Sequence, residues 1–89
     1  MVVMVGEFDL SNAPVLVQCF DELASAGHVN VVVDMAETSF IDSTILGALS
    51  LAYRRGLHLD IRAPQGHVRR ELDRSGLSAV FDISDGDDS

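Results

Sequence analysis

Lysine is absent from this 89-residue chain. Its arginines alone face the acidic side chains, 6 against 14, and the formal net charge is −8. That balance argues against direct binding of nucleic acid, which needs cations to displace phosphate counterions. It suits a protein partner with a basic or polar surface. Cysteine is nearly absent too. The single Cys19 excludes an intramolecular disulfide framework and a thiolate-rich zinc site. No apolar run reaches the roughly 18–20 residues of a membrane span. The start, MVVMVGEFDL, lacks the basic opening of a secretion signal. The reading is therefore a soluble, cytoplasmic protein with no membrane segment. A hydrophobic share of 47% and a charged share of 22% describe one globular domain. The domain is expected over residues 1–84, with 85–89, which include Asp85, Asp87 and Asp88, as an acidic mobile tail.

What is present alternates between two periods. Val2 to Val5 predict a short buried strand stopped by Gly6. Ser11 or Asn12 can cap a helix, and Pro14 suits its first turn. Val15, Leu16, Cys19, Phe20, Leu23 and Ala24 form its apolar stripe, and Gly27 its end. Val29 to Asp34 predict a strand buried on both faces, as in parallel sheets. Met35 to Asp42 read as a connection with Phe40 and Ile41 pointing inward. A second helix is expected from about Thr44 to Arg55, with Ile45, Leu46, Leu49, Ala52 and Tyr53 at helical spacing. Leu57, Leu59 and Ile61 alternate with His58, Asp60 and Arg62 in a half-exposed strand. Pro64 to Gly66 open a third helix, with Val68 and Leu72 one turn apart, and Ala79 to Ile83 predict a last strand. The order βαβαβαβ implies an α/β fold with a mostly parallel four-stranded sheet and helices packed on it.

Chemistry is best sought at Phe40-Ile41-Asp42-Ser43-Thr44-Ile45. Ser43 is expected as N-cap of the second helix, where unpaired N–H groups and the dipole favour an anion. A phosphate on Ser43 would add about −1.5 to −2 charges, which the helix end tolerates. The plainer reading is that Ser43 only caps and Asp42 is a polar loop residue. Glu7, Asp9 and Asp42 follow strand ends and can meet at one end of the sheet. His28, His58 and His67 show no ligand spacing, so no metal is expected. Cys19 reads as core packing, and Arg69, Arg70 and Arg74 as a solvated helix face. No phosphate-cradling glycine pattern appears, so the chain is not expected to be an enzyme using ATP.

Several segments together carry a resemblance. Gly6-Glu7-Phe8-Asp9-Leu10 is followed by Ala13-Pro14, and Val31-Val32-Val33-Asp34 by Phe40-Ile41-Asp42-Ser43-Thr44. Leu46-Gly47-Ala48-Leu49, Arg54-Arg55-Gly56, Pro64, Arg69-Arg70 and Ser75-Gly76-Leu77 continue the pattern. The chain resembles a STAS domain, specifically the small bacterial anti-sigma factor antagonists. The resemblance implies that the unphosphorylated form binds an anti-sigma factor that is also a serine kinase. That kinase would phosphorylate the residue after the aspartate, here Ser43, and a PP2C-type phosphatase would restore it. ATP and magnesium would belong to the kinase, so no cofactor is expected of this chain. The implied partner surface is Asp9, Asp42, Ser43, Thr44 and Ile45. Two departures stand out. Ile45 occupies a position where the family usually has glycine and is expected to add bulk beside the interface. The family's first strand, which pairs with Val2 to Val5, is missing, so a homodimer through the exposed sheet edge is expected. The alternatives are a structural STAS subunit of a transport or stressosome-like assembly, and a binding module that senses an anion or nucleotide.

Overall fold

Each of the first three strands is followed by a connection long enough for a helix, so parallel pairing is the available solution. A computed structural model, describing residues 1–85, realises it. Strands β1 (Val2–Phe8), β2 (Asn30–Ile41), β3 (His58–Arg62) and β4 (Asp82–Ser84) form one sheet in the order β1-β2-β3-β4, parallel at each pairing. Helices α1 (Ala13–Ser25), α2 (Ser43–Arg54) and α3 (Gly66–Arg74) are the crossovers. The tail expected over 85–89 lies, except for Asp85, outside the described residues. Asp85 itself accepts a hydrogen bond from Arg69 Nη1 at 3.1 Å.

The helices follow their apolar spacing. In α2 the buried residues are Ile45, Ala48, Leu49 and Ala52, one stripe at i, i+3, i+4 and i+7. In α1 they are Ala13, Leu16 and Phe20, and the stripe sits one residue to the side of the expected one. Val15 is consequently 71% exposed, and Cys19 is half-buried. Both α1 and α2 end in the same motif. Past α2, the N–H of Gly56 reaches the Tyr53 carbonyl at 3.0 Å and that of Leu57 the Ala52 carbonyl at 3.1 Å. This double bond pattern requires positive φ at the glycine, and Gly56 has φ +88°.

The strands depart more from expectation. β1 does not stop at Gly6 but runs through it, with φ +93° there, to Phe8. It is an edge strand with Met4 buried, while Val3 is 53% and Val5 59% exposed. The expected connection Met35 to Asp42 is largely strand, because β2 continues to Ile41. Phe40 points outward, 39% exposed, instead of inward. The cause is a pair of irregularities in β2. Val3 pairs with Asp34 and Val5 with Glu37, and Gly6 pairs with Thr38 and Glu7 with Phe40. At each place β2 carries one residue more than β1, which breaks the period-two alternation. Two side chains satisfy the disturbed backbone. Asp34 Oδ1 accepts from the Ala36 N–H at 2.9 Å, and the buried Thr38 hydroxyl donates to the Met4 carbonyl at 2.7 Å. The final strand also starts later than expected, at Asp82, after a 3-10 turn over Leu77–Ala79. Phe81 packs edge-on to Tyr53 and His58 and stays out of the ladder.

These irregularities position the site. β3 pairs with β2 only as far as Asp34, opposite Arg62. Beyond that point β2 is paired with β1 alone, so the carboxyl ends of these two strands project past the rest of the sheet.

Candidate functional site

Phe8 pairs with Ile41, and the next residues of each strand, Asp9 and Asp42, leave the sheet side by side. Ligands of open α/β sheets characteristically bind at this carboxyl edge. The two turns that follow are built differently.

After β1, the side chains hold the loop to itself. Asp9 Oδ1 accepts from the Ser11 hydroxyl at 2.6 Å and from the Ser11 N–H at 2.9 Å. Asn12 Oδ1 accepts from the Asp9 N–H at 2.8 Å, and its Nδ2 donates to the Glu7 carbonyl at 3.0 Å. Asn12 thus occupies the N-cap position of α1 without a side-chain cap bond. The Ser11 hydroxyl, and then the Ser11 N–H, hold the Asp9 carboxyl below its ordinary pKa of 3.8. Asp9 is an anion at neutral pH.

After β2, Asp42 is the N-cap, which corrects the expectation that Ser43 caps. Asp42 is still extended (φ −112°, ψ −176°), and its Oδ1 accepts from the Ile45 N–H at 3.1 Å. Strand pairing carries β2 through Ile41, so the first residue able to turn is Asp42. Ser43 is therefore the first helical residue. It is exposed, and its hydroxyl makes no hydrogen bond among the described residues. Thr44 is half-buried beside it. Ile45 is wholly buried in the core beneath α2, so its side chain adds no bulk at the surface as expected. The structure brings Asp9, Asp42, Ser43 and Thr44 to one edge and removes Ile45 from it. Glu7 is exposed on β1, and no hydrogen bond joins it to either aspartate.

One pairing at this edge escaped the sequence reading. Phe40 and His67 stack face to face, ring centres 5.1 Å apart and 3° from parallel. His67 Nε2 donates to the Ile41 carbonyl at 3.3 Å, so α3 braces the end of β2 just before Asp42. Distant in sequence, the pair had no local signal. Elsewhere, Arg69 bonds Asp73 and Asp85, and Arg74 bonds Glu71, which leaves that helix face largely self-neutralised. Among the described residues, no cluster of metal-ligating side chains forms, and no helix is long and apolar enough to cross a membrane.

The edge therefore presents an exposed hydroxyl at a helix N-terminus, on the same edge as Asp9 and Asp42. The same fold occurs in solved structures. One is a candidate anti-sigma factor antagonist of Thermotoga maritima, with TM-score 0.76 and 23% identity, covering 93% of this chain and 77% of that one. Another is the anti-sigma factor antagonist SpoIIAA in its unphosphorylated form, with TM-score 0.71 and 14% identity, covering 91% and 74%. No curated protein matches the chain in sequence. The family model described as "Mlab, STAS domain" matches residues 1–82, and the chain belongs to that STAS family.

Proposed function

We propose that this protein is a cytoplasmic anti-sigma factor antagonist. It binds an anti-sigma factor with serine-kinase activity when unphosphorylated, and phosphorylation of Ser43 switches it off. A PP2C-type phosphatase resets it. The chain acts as a binding module, with the kinase supplying ATP and magnesium. The partner surface is the edge formed by Asp9, Asp42, Ser43 and Thr44, and Ile45 supports it from within the core.

One observation carries this reading: Ser43 is exposed with an unengaged hydroxyl at the first position of α2, because Asp42 does the capping. Phosphate there is favourable within the domain, since it sits on the positive end of the helix dipole. It is unfavourable under a docked partner, where a hydrated dianion beside Asp9 and Asp42 must be desolvated.

The test is partner capture followed by incubation with ATP and magnesium. Intact mass and phosphosite mapping should find a single phosphate on Ser43 and release of the partner. Ser43→Ala should bind permanently and Ser43→Asp poorly; equal binding by the two removes the switch. A second reading is kept because the matched family is described by the name Mlab. It is a structural STAS subunit of a transport or stressosome-like assembly, and it predicts a stable native partner that ignores ATP. Under either reading the exposed β1 edge suits a homodimer, checked by whether Val3→Lys changes the mass in solution.

A further inference from the structure

The core uses one stripe of each of the first two helices, yet both carry a second. On α1, Pro14, Val17, Gln18 and Asp21 follow the spacing i, i+3, i+4 and i+7. On α2, Thr44, Gly47, Ala48 and Leu51 repeat that spacing. The two stripes face each other across an open cleft of about 610 Å³. Such a volume lies in the range of roughly 300–1,000 Å³ usual for binding clefts. The floor is made of the small residues Ala13, Gly47 and Ala48, which allow a visitor to approach the helices closely. The rim is apolar: Leu10 is 70% and Leu51 45% exposed. Neither residue is needed to close the core.

We propose that this cleft receives an amphipathic helix of the partner protein, apolar on its seated face and flanked by arginine or lysine. The inference rests on the reading of this domain as a protein-binding module and names the element it binds. Two features select a helix. The stripes run along two neighbouring helices for two turns each, about 10 Å, so the cleft is a trough. A trough between helices is filled by ridges of a third helix, with anchors at i, i+3, i+4 and i+7. Charge selects the flanks. Glu7, Asp9 and Asp42 lie at the end next to Ser43, and Glu22 is exposed on α1, which carries no basic residue. The nearby Arg55 is already bound to Asp21 at 2.6 Å. Thr44 lines the trough and directly follows Ser43, so one end of the trough adjoins the candidate site.

The experiment uses the full chain and a synthetic helical peptide of about 18 residues. Leucines stand at i, i+3, i+4 and i+7, with arginine at both ends. Two controls have the same leucines in shuffled order and glutamate in place of arginine. Saturable amide shifts are expected at Leu10, Val17, Gly47 and Leu51, with affinity about tenfold above either control. Gly47→Leu should abolish binding without unfolding, because a Cβ added at Gly47 meets nothing within 4 Å and Gly47 lines the trough. Leu51→Ser on the rim should weaken binding several-fold and gives the same answer if the first variant fails to fold. Equal binding of the shuffled or glutamate peptide, or shifts confined to Val3 and Val5 of β1, overturns the proposal. Native-partner binding that survives Gly47→Leu overturns it as well, while the Ser43 results stand. The peptide titration uses neither ATP nor phosphate, so loss of the phosphorylation reading does not touch it.

Discussion

Two turns leave adjacent parallel strands at the same edge of the sheet, and each contains a serine next to the residue at the cap position. After β1, Ser11 donates its hydroxyl to Asp9, and Asn12 ties the loop to Glu7 and Asp9. After β2, Asp42 reaches the Ile45 N–H, and Ser43 stands outside the network. The difference lies in which residue occupies the cap. Where the capping position falls to a side chain already engaged in the loop, the neighbouring serine is locked. Where it falls to an aspartate held extended by strand pairing, the neighbouring serine is free. One sheet edge thus carries a structural serine and an available one.

The largest expected effect tests that contrast directly. Ser43→Asp should weaken partner binding at least ~10-fold, about 1.4 kcal/mol, whereas Ser11→Ala should leave it within twofold. Titration by calorimetry with the captured partner reads both. The stability of the two turns comes next. Asp42→Ala removes a cap bond and should cost about 1 kcal/mol, within a range of roughly 0.5–2, in urea unfolding. Asp42→Asn should recover most of it. Asn12→Ala should cost less, about 0.5–1 kcal/mol, since its two bonds, one part-buried and one exposed, tie the loop and do not cap the helix. The smallest effect is in pH. Asp9 has a lowered folded-state pKa, so its contribution to stability is complete above about pH 3.8 and is lost as pH falls through the lower folded value. Amide signals of Ser11 should shift in that acidic range, and Asp9→Asn should abolish the shift. An Ser11 shift at neutral pH would contradict the geometry of this loop.

The same contrast shows how far the sequence could be read. The apolar spacing of α3 and the alternation in β3 were legible, because period 3.6 and period 2 leave clean marks when one face alone is buried, whereas on α2 Ile45, Leu49 and Ala52 are buried as expected but Tyr53 is exposed and Ala48 is buried instead. Buried Val68 and Leu72, and buried Leu59 and Ile61, lie where these periods put them. The second half of β2 was not legible. Its two extra residues shift the alternation, and its polar run Glu37-Thr38-Ser39 resembles a loop. The capping residue was ambiguous for a related reason. Asp42 and Ser43 are both good caps, and local preference does not rank them. Ile45 carried two expectations, the apolar stripe from its spacing and a place beside the interface from the resemblance, and the structure buries it with the stripe.

By itself, then, the sequence determined the alternation of strands and helices, the parallel sheet that alternation requires, and the placing of Asp42 and Ser43 at the start of the second helix. Those follow from local periodicity and from chain lengths between elements. Tertiary structure decided which strand lies at the edge, how far β2 runs, and that Asp42 turns while Ser43 remains free. These depend on pairing register between β1 and β2, with Thr38 and Asp34 completing the backbone bonds that the irregular register leaves open. Register is a relation between distant segments, and no single segment encodes it.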